Sequence, residues 1–258
     1  MKTALLQSNL IWENPTENHK IFEQKINAIT ETVDLIVLPE MFTSGFTMNP
    51  QLVAETMAGE TITLLKSLAK AKNCAITGCL VIAENNNFYN RMVFVFPDQT
   101  IDYYDKKHLF TLAGEDKVYT AGTEKKIVNF RGFKICLQVC YDLRFPAFAR
   151  NKENYDVLIY VANWPQTRIN AWNILLKARA VENMCYVIGV NRIGIDGNNQ
   201  IYSGDSQVID YLGNTIVEPQ PTEGIFYADL DKDKMLATRN QLQFLNDMDS
   251  FILVMDIK

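Results

Sequence analysis

"FKICLQVCYDLRFP" occupies residues 133 to 146, and its character changes in the middle. Up to Val139 the text alternates, so Phe133, Ile135, Leu137 and Val139 share one face of a strand while Lys134, Cys136, Gln138 and Cys140 share the other. After Cys140 the alternation stops, and Asp142 and Arg144 lead to Pro146. A thiol just past a strand end is held by a sheet and is still within reach of solvent. "KIVNF" lies upstream with Arg131 and Gly132 between, so the strand reads as half of a hairpin.

Similar text recurs on both sides of this segment. "TALLQSNL" (3–10) reads as a first strand, followed by helical spacing of Phe22, Ile26 and Ile29. "DLIVLPE" (34–40) reads as a strand buried on both faces and stopped by Pro39, and Leu64, Leu65 and Leu68 mark a second helix. "CAITGCLVI" (74–82) and "RMVFVF" (91–96) flank the turn-rich "ENNNFYN" as a hairpin, and "TIDYY" (100–104) is a further strand. The stretch from Asp105 to Thr123 has no regular periodicity, and a loop of that length is usually functional or disordered. Beyond the opening motif come the strand "VLIYVAN" (157–163) and a helix carrying Trp172, Leu175, Leu176 and Arg179 on one side. The strand "YVIGVN" (186–191), a hairpin turning at 212–214 and "GIFYADL" (224–230) complete the series. About a dozen strands exceed the roughly 10 that an open sheet usually holds, so two packed sheets in one α/β domain spanning residues 1–258 are expected.

The composition agrees with a folded core. Of 258 residues, 48% are hydrophobic and 21% charged, which argues against disorder, and no Pro/Gly/Ser linker divides the chain. The net charge of −5, with both signs interspersed, offers no basic stripe for nucleic acid and no polybasic patch for a membrane. Nowhere are there about 18 uninterrupted apolar residues, and "MKTALLQSNLIWEN" has only a short apolar run, so a cytoplasmic protein is expected. The five cysteines fit reduced thiols; Cys74, Cys79, Cys136 and Cys185 lie in apolar text as core residues.

Three chemistries compete for Cys140. Zinc is disfavoured because Cys136 and Cys140, four residues apart on one face, would stand ~13 Å from each other, and Cys74 and Cys79 face opposite ways. No metal is expected. A serine nucleophile is disfavoured because "SGDSQV" lacks the second glycine and following helix of a nucleophile elbow. A histidine-activated thiol would need His19, on an early amphipathic helix that turns it to solvent, or His108, which stays open. The remaining polar residues at strand ends are Glu40, after "DLIVLPE", and Lys106, after "TIDYY". A carboxylate can take a thiol proton, and an ammonium can favour the thiolate and hold an oxyanion. Taken singly, each also reads as an ordinary residue: a solvated acid, a surface lysine, a core-edge thiol.

At these residues the chain resembles the carbon-nitrogen hydrolase, or nitrilase, superfamily. "LPEMF" (38–42), "KKHLF" (106–110) and "CYDLRFP" (140–146) are similar to its three signature segments in order, supported by "NWP" (163–165), "ARAVEN" (178–183), "GVNRIG" (189–194) and "YSGDSQVIDYLGN" (202–214). The resemblance covers nearly the whole chain and implies a four-layer α-β-β-α sandwich, a homodimer formed through the nucleophile-side helices, and no cofactor. It implies a triad of Glu40, Lys106 and Cys140, with Glu115 holding Lys106 and assisting acid-base steps, and the backbone N–H of Tyr141 as oxyanion donor. Within the superfamily the likeness is greatest to bacterial omega-amidases, which release ammonia from the small-molecule amides 2-oxoglutaramate and 2-oxosuccinamate through a thioester. An N-carbamoyl amidohydrolase or a general aliphatic amidase is the alternative, and a non-catalytic scaffold the remote one. A dicarboxylate monoamide needs a cationic anchor, for which Arg168 is the candidate; Phe42 and Phe46 are placed as pocket walls, with a core role equally open. Arg144 and Asp142 are expected to brace the turn around Cys140. The apolar end, about 240–258, is expected to dock at the dimer interface.

Overall fold

The computed structural model describes residues 1–253. Its first sheet takes β1 (Lys2–Gln7), β2 (Leu35–Val37), β3 (Ala75–Glu84), β4 (Asn87–Val95), β5 (Ile101–Asp105) and the late strand β14 (Gly224–Asp229), in the order β14-β1-β2-β3-β4-β5. The second takes β6 (Lys126–Phe130), β7 (Phe133–Val139), β8 (Val157–Ala162), β9 (Tyr186–Asn191), β12 (Gln207–Ile209) and β13 (Thr215–Val217), in the order β13-β12-β9-β8-β7-β6. Parallel pairing joins β1, β2 and β3 in one sheet and β7, β8 and β9 in the other. Of these, β2, β8 and β9 are buried along their whole length, which is why they read as continuous apolar text.

The two sheets pack face to face. Leu35, Val37, Cys79, Met92 and Phe94 from the first meet Ile135, Leu137, Val139, Ile159 and Ile188 from the second in one core. On the outer face of the first sheet, α1 (Pro15–Asn27) and α3 (Glu60–Lys72) bury Phe22, Ile26, Ile62, Leu65 and Leu68. On the outer face of the second, α5 (Ile169–Asn183) buries Trp172, Leu176 and Ala180 against Cys136, Leu158 and Tyr160. The result is the expected α-β-β-α sandwich. Short helices α2 (Pro50–Val53) and α4 (Pro146–Ala149) start at prolines, whose fixed φ suits a first helical position, and α6 (Lys232–Leu242) follows β14.

Three local readings are corrected. The turn in "ENNNFYN" is only Asn85 and Asn86, both left-handed at φ 51° and 61°, and Asn87 to Asn90 already belong to β4. A small hairpin of β10 (Ile193–Ile195) and β11 (Ile201–Ser203) was invisible because three-residue strands carry no periodicity. His19 is half-buried and bonded to Thr61 instead of solvated, and burial lowers its pKa. At the C-terminal end Phe251 lies under the Lys152 ammonium, 3.6 Å from its ring centre, while residues 254–258 of the expected docking segment lie outside the described residues.

Candidate active site

The carboxyl ends of β2, β5, β7 and β8 converge at one edge of the sandwich, where Glu40, Lys106, Cys140 and Asn163 stand. Two of these turns are made without glycine in the left-handed region: Met41 at φ 43° follows Glu40, and Cys140 itself has φ 44°. Such backbone costs about 1–3 kcal/mol each and persists where the surroundings impose it. Cys140 thereby leaves β7 and opens a 3-10 turn, Cys140–Arg144, in which the Tyr141 amide is among the first and has no partner within the turn.

Asp142 locks that turn. Its Oδ2 accepts from the Val139 N–H at 2.9 Å and the Tyr104 hydroxyl at 2.8 Å, and its Oδ1 accepts from the His108 backbone at 2.9 Å and lies 2.7 Å from His108 Nδ1. His108 also stacks on Phe145 at 3.8 Å, so its ring is committed to the turn.

Lys106, Glu40 and Glu115 are wholly buried together. The Lys106 ammonium donates to Glu40 Oε1 at 3.0 Å and to Glu115 Oε1 and Oε2 at 3.0 and 2.9 Å. Asn90, unmarked in the sequence reading, donates its side-chain amide to Glu40 Oε1 at 2.8 Å and to Glu115 Oε1 at 3.0 Å. The Phe110 N–H adds a bond to Glu115 Oε2 at 2.5 Å, and the Asn163 N–H one to Glu40 Oε2 at 2.8 Å. A carboxylate offers about four acceptor positions. Glu115 receives four contacts, whereas Glu40 receives three, leaving Oε2 with room for one more. Gly122 lets the chain pass this cluster, because a Cβ there would stand 2.1 Å from the Asp105 carbonyl oxygen.

Electrostatics set the protonation states. Burial alone would lower the Lys106 pKa, but the charges of Glu115 and Glu40 outweigh it and hold the ammonium well above its usual value. Burial raises the Glu115 pKa against the pull of Lys106. Burial and the Glu40 charge push the Cys140 thiol far up, with Lys106 opposing. The thiol therefore rests protonated, next to a carboxylate with a vacant acceptor position.

Cys140 is the half-buried cysteine of the five, the other four being buried. It forms the floor of a cavity of about 470 Å³, its sulfur 4.0 Å from the Asn163 carbonyl oxygen. Phe46, Phe110, Trp164 and Tyr202 line this cavity, and so do Arg144 and Arg168. Arg168 stacks over Phe110 at 5.2 Å and Arg144 over Trp164 at 5.0 Å. Neither guanidinium forms an ion pair among the described residues.

The carbon-nitrogen hydrolase family model matches residues 2–240. The chain belongs to that family. It is 41% identical to the omega-amidase YafV of Yersinia enterocolitica, covering 98% of this chain and 99% of the relative. A 2-oxoglutaramate amidase of Bacillus subtilis is 32% identical over 95% and 96% of the two chains. Among solved structures, a carbon-nitrogen hydrolase superfamily protein of Xanthomonas campestris, with an arsenic adduct in its active site, superposes with a TM-score of 0.96 at 38% identity, covering 98% and 99%.

The fold thus brings Cys140, Tyr141, Arg168 and Phe46 to one cavity, with Glu40, Lys106 and Glu115 fully buried together and acting on Cys140 through their charges. Phe42 does not join them. It is fully buried in the core under α1, edge-on to Phe22 at 5.1 Å, because the left-handed Met41 turns the following side chain back into the sheet layer. Arg144 stands on the pocket wall instead of bracing the turn, which is held by Asp142 and by the Arg179 guanidinium donating to the Leu143 carbonyl at 2.5 Å. Asn90 and Asn163 were missed; nothing in an asparagine within turn-rich text distinguishes it, although "NWP" at a strand end marked Asn163.

Proposed function

We infer that this carbon-nitrogen hydrolase is an omega-amidase, releasing ammonia from the terminal amide of small α-keto acid ω-amides such as 2-oxoglutaramate and 2-oxosuccinamate. The observation that carries the chemistry is the vacant acceptor position of Glu40 beside a protonated thiol. The relatives from Yersinia enterocolitica and Bacillus subtilis support the substrate class.

In our reading Glu40 is the general base. As Cys140 Sγ attacks the amide carbon, its proton passes to Glu40 Oε2, and the carbonyl oxygen becomes an oxyanion held by the Lys106 ammonium and the Tyr141 N–H. Glu40 returns the proton to the amide nitrogen, the C–N bond breaks, and ammonia leaves a thioester on Cys140. Water then gives a proton to Glu40 and attacks the thioester, and the thiol departs with that proton. Glu115, bonded through both oxygens to Lys106, Asn90 and the Phe110 N–H, holds Lys106 in place and stands ready to assist the acid-base steps.

The cavity of about 470 Å³ has room for a four- or five-carbon ω-amide. Arg168 is the proposed anchor for the far carboxylate, since its guanidinium faces the cavity without an acid of its own. Phe46, whose ring lies 5.1 Å from the Lys106 ammonium, walls the reacting end. We further propose a cytoplasmic homodimer joined through the nucleophile-side helices; exposed Ile174 and Val181 on α5 and Leu212 on the neighbouring hairpin support that face.

The test is a panel of ω-amides, N-carbamoyl compounds and nitriles with ammonia detection. Release from 2-oxoglutaramate, lost in Cys140→Ala, is the expected result. Carbon dioxide from carbamoyl substrates with no turnover of ω-amides would replace this reading, and full activity of Cys140→Ala would end the thioester mechanism.

A further inference from the structure

Asn90 touches every charged member of the cluster. Its backbone carbonyl accepts from the Lys106 N–H at 3.0 Å, and its side-chain amide donates one hydrogen to Glu40 and the other to Glu115. It is buried, and its own Oδ1 has no partner among the described residues. A buried acceptor left unpaired is unfavourable and needs a reason. The reason lies in the donor count. Lys106 has three hydrogens and makes three contacts, one to Glu40 and two to Glu115, so a ligand oxyanion can be held only if one of these hydrogens turns away from a carboxylate. Two carboxylates side by side therefore need further donors that are neutral, since a second cation here would bind the thiolate permanently.

We propose that Asn90 is a positioning residue that holds Glu40 and Glu115 apart and gives each a second, neutral donor, so that a Lys106 hydrogen can turn to the oxyanion while the free lone pair of Glu40 stays open to the Cys140 proton. This rests on the amidase reading for its kinetic consequences but not for its electrostatic ones. Around Asn90 the titratable groups are Glu40 beyond β2, Lys106 beyond β5, Glu115 in the following turn, Cys140 beyond β7, and the buried Cys79 and Tyr119, whose pKa values burial raises. Cys79 and Tyr119 are neutral at neutral pH. The side chain with two parallel donors and no charge is a carboxamide, and aspartate in its place would add a third acid to two.

Loss of the two donors destabilises the anionic forms of the whole group, so its proton affinities rise. The experiment compares Asn90→Ala, Asn90→Asp and Asn90→Gln with the parent enzyme. It measures kcat and KM on 2-oxoglutaramate against pH, and alkylation of Cys140 by iodoacetamide against pH by mass spectrometry, with circular dichroism to confirm folding. For Asn90→Ala the expected results are kcat lower by about 30-fold or more with KM within about threefold, and the acidic limb of kcat moved up by about one pH unit. The alkylation profile should move up in parallel. Asn90→Asp should lose more than Asn90→Ala, and Asn90→Gln, which keeps both donors, should recover part of kcat. A folded Asn90→Ala or Asn90→Asp with parental kcat and parental alkylation profile overturns the proposal, as does Asn90→Gln being no better than Asn90→Ala. If the parent fails to turn over 2-oxoglutaramate, the substrate reading falls, while the alkylation profiles still decide the role of Asn90.

Discussion

The strands β7 and β8 carry a buried ion cluster at each end, and the two are built differently. At their amino ends Asp156 accepts from the Lys134 N–H at 2.9 Å and pairs with Lys232 at 2.8 Å and Arg239 at 3.5 Å. The remaining donors there end on main-chain oxygens: Arg239 reaches Met184 O and Tyr155 O, both at 2.7 Å, and Lys232 reaches Gly132 O. A hollow of about 500 Å³ adjoins this cluster, yet its charges already satisfy one another. At the carboxyl ends Glu40 keeps an open acceptor position, Asn90 and Asn163 each have an unpartnered Oδ1, and Cys140 and Met41 hold left-handed backbone. One end is satisfied and the other is left deliberately incomplete. Incompleteness beside a cavity is what chemistry requires, since a saturated group has nothing to offer a substrate.

Removing the cation should separate the two ends most. Lys106→Met takes the oxyanion's ammonium and leaves two carboxylates facing each other, so kcat/KM should fall by about 10³-fold or more in the ammonia assay. Carboxylates deprived of their cation gain proton affinity, so the folded variant holds its protons more tightly than the unfolded chain. Its stability should therefore be best at acid pH and decline as pH rises through the carboxylate range, which urea unfolding at several pH values would display. A variant with parental turnover would break the comparison, because the active end would then not depend on its charge.

At the opposite end the expected loss is of fold, not of rate. Asp156→Ala strands Lys232 and Arg239, and the cost should be about 2–4 kcal/mol of unfolding free energy, less than for a fully buried pair because the Lys232 side chain is 29% exposed. The folded fraction should keep its parental kcat. Arg168→Met acts within the cavity itself and is smaller still: KM for 2-oxoglutaramate should rise about tenfold, with kcat within about threefold, as for loss of an anchor that grips ground and transition states alike. An unchanged KM would move the carboxylate to Arg144, the other guanidinium on the wall.

The same contrast explains what the sequence disclosed. Elements with repeated apolar spacing were legible: the strands around Ile36, Ile76 and Ile159, and the helices carrying Phe22, Leu65 and Trp172, all stand where the periodicity put them. Glu40, Lys106 and Cys140 were legible because each is a polar residue ending an apolar run, and because three motifs stand in the family's order. Asn90 was not, for it is the last residue of the turn-rich text that hid it and does its work through hydrogen bonds to partners 25 and 50 residues away. Phe42 was misplaced because the direction of a side chain after a left-handed residue cannot be read from alternation. Ile193–Ile195 and Ile201–Ser203 escaped because a three-residue strand has no period to detect.

The finest distinction lies within β7, between Cys136 and Cys140. Both are on one strand face in the alternation, yet Cys136 is buried under α5, whereas Cys140 has turned out of the strand to the cavity floor. Burial raises the pKa of both thiols, and for Cys140 the Glu40 charge adds to it. Access should therefore decide which cysteine reacts, and ionisation how fast. In the native protein iodoacetamide should modify Cys140 alone, and in denaturant all five cysteines of the chain. Because a raised pKa leaves little thiolate at neutral pH, the native rate should still be climbing past about pH 9, where an ordinary thiol of pKa about 8.5 levels off. A rate that is already level at pH 7 would mean a preformed thiolate, and Glu40 would then be needed for the water and the leaving group but not for the first proton.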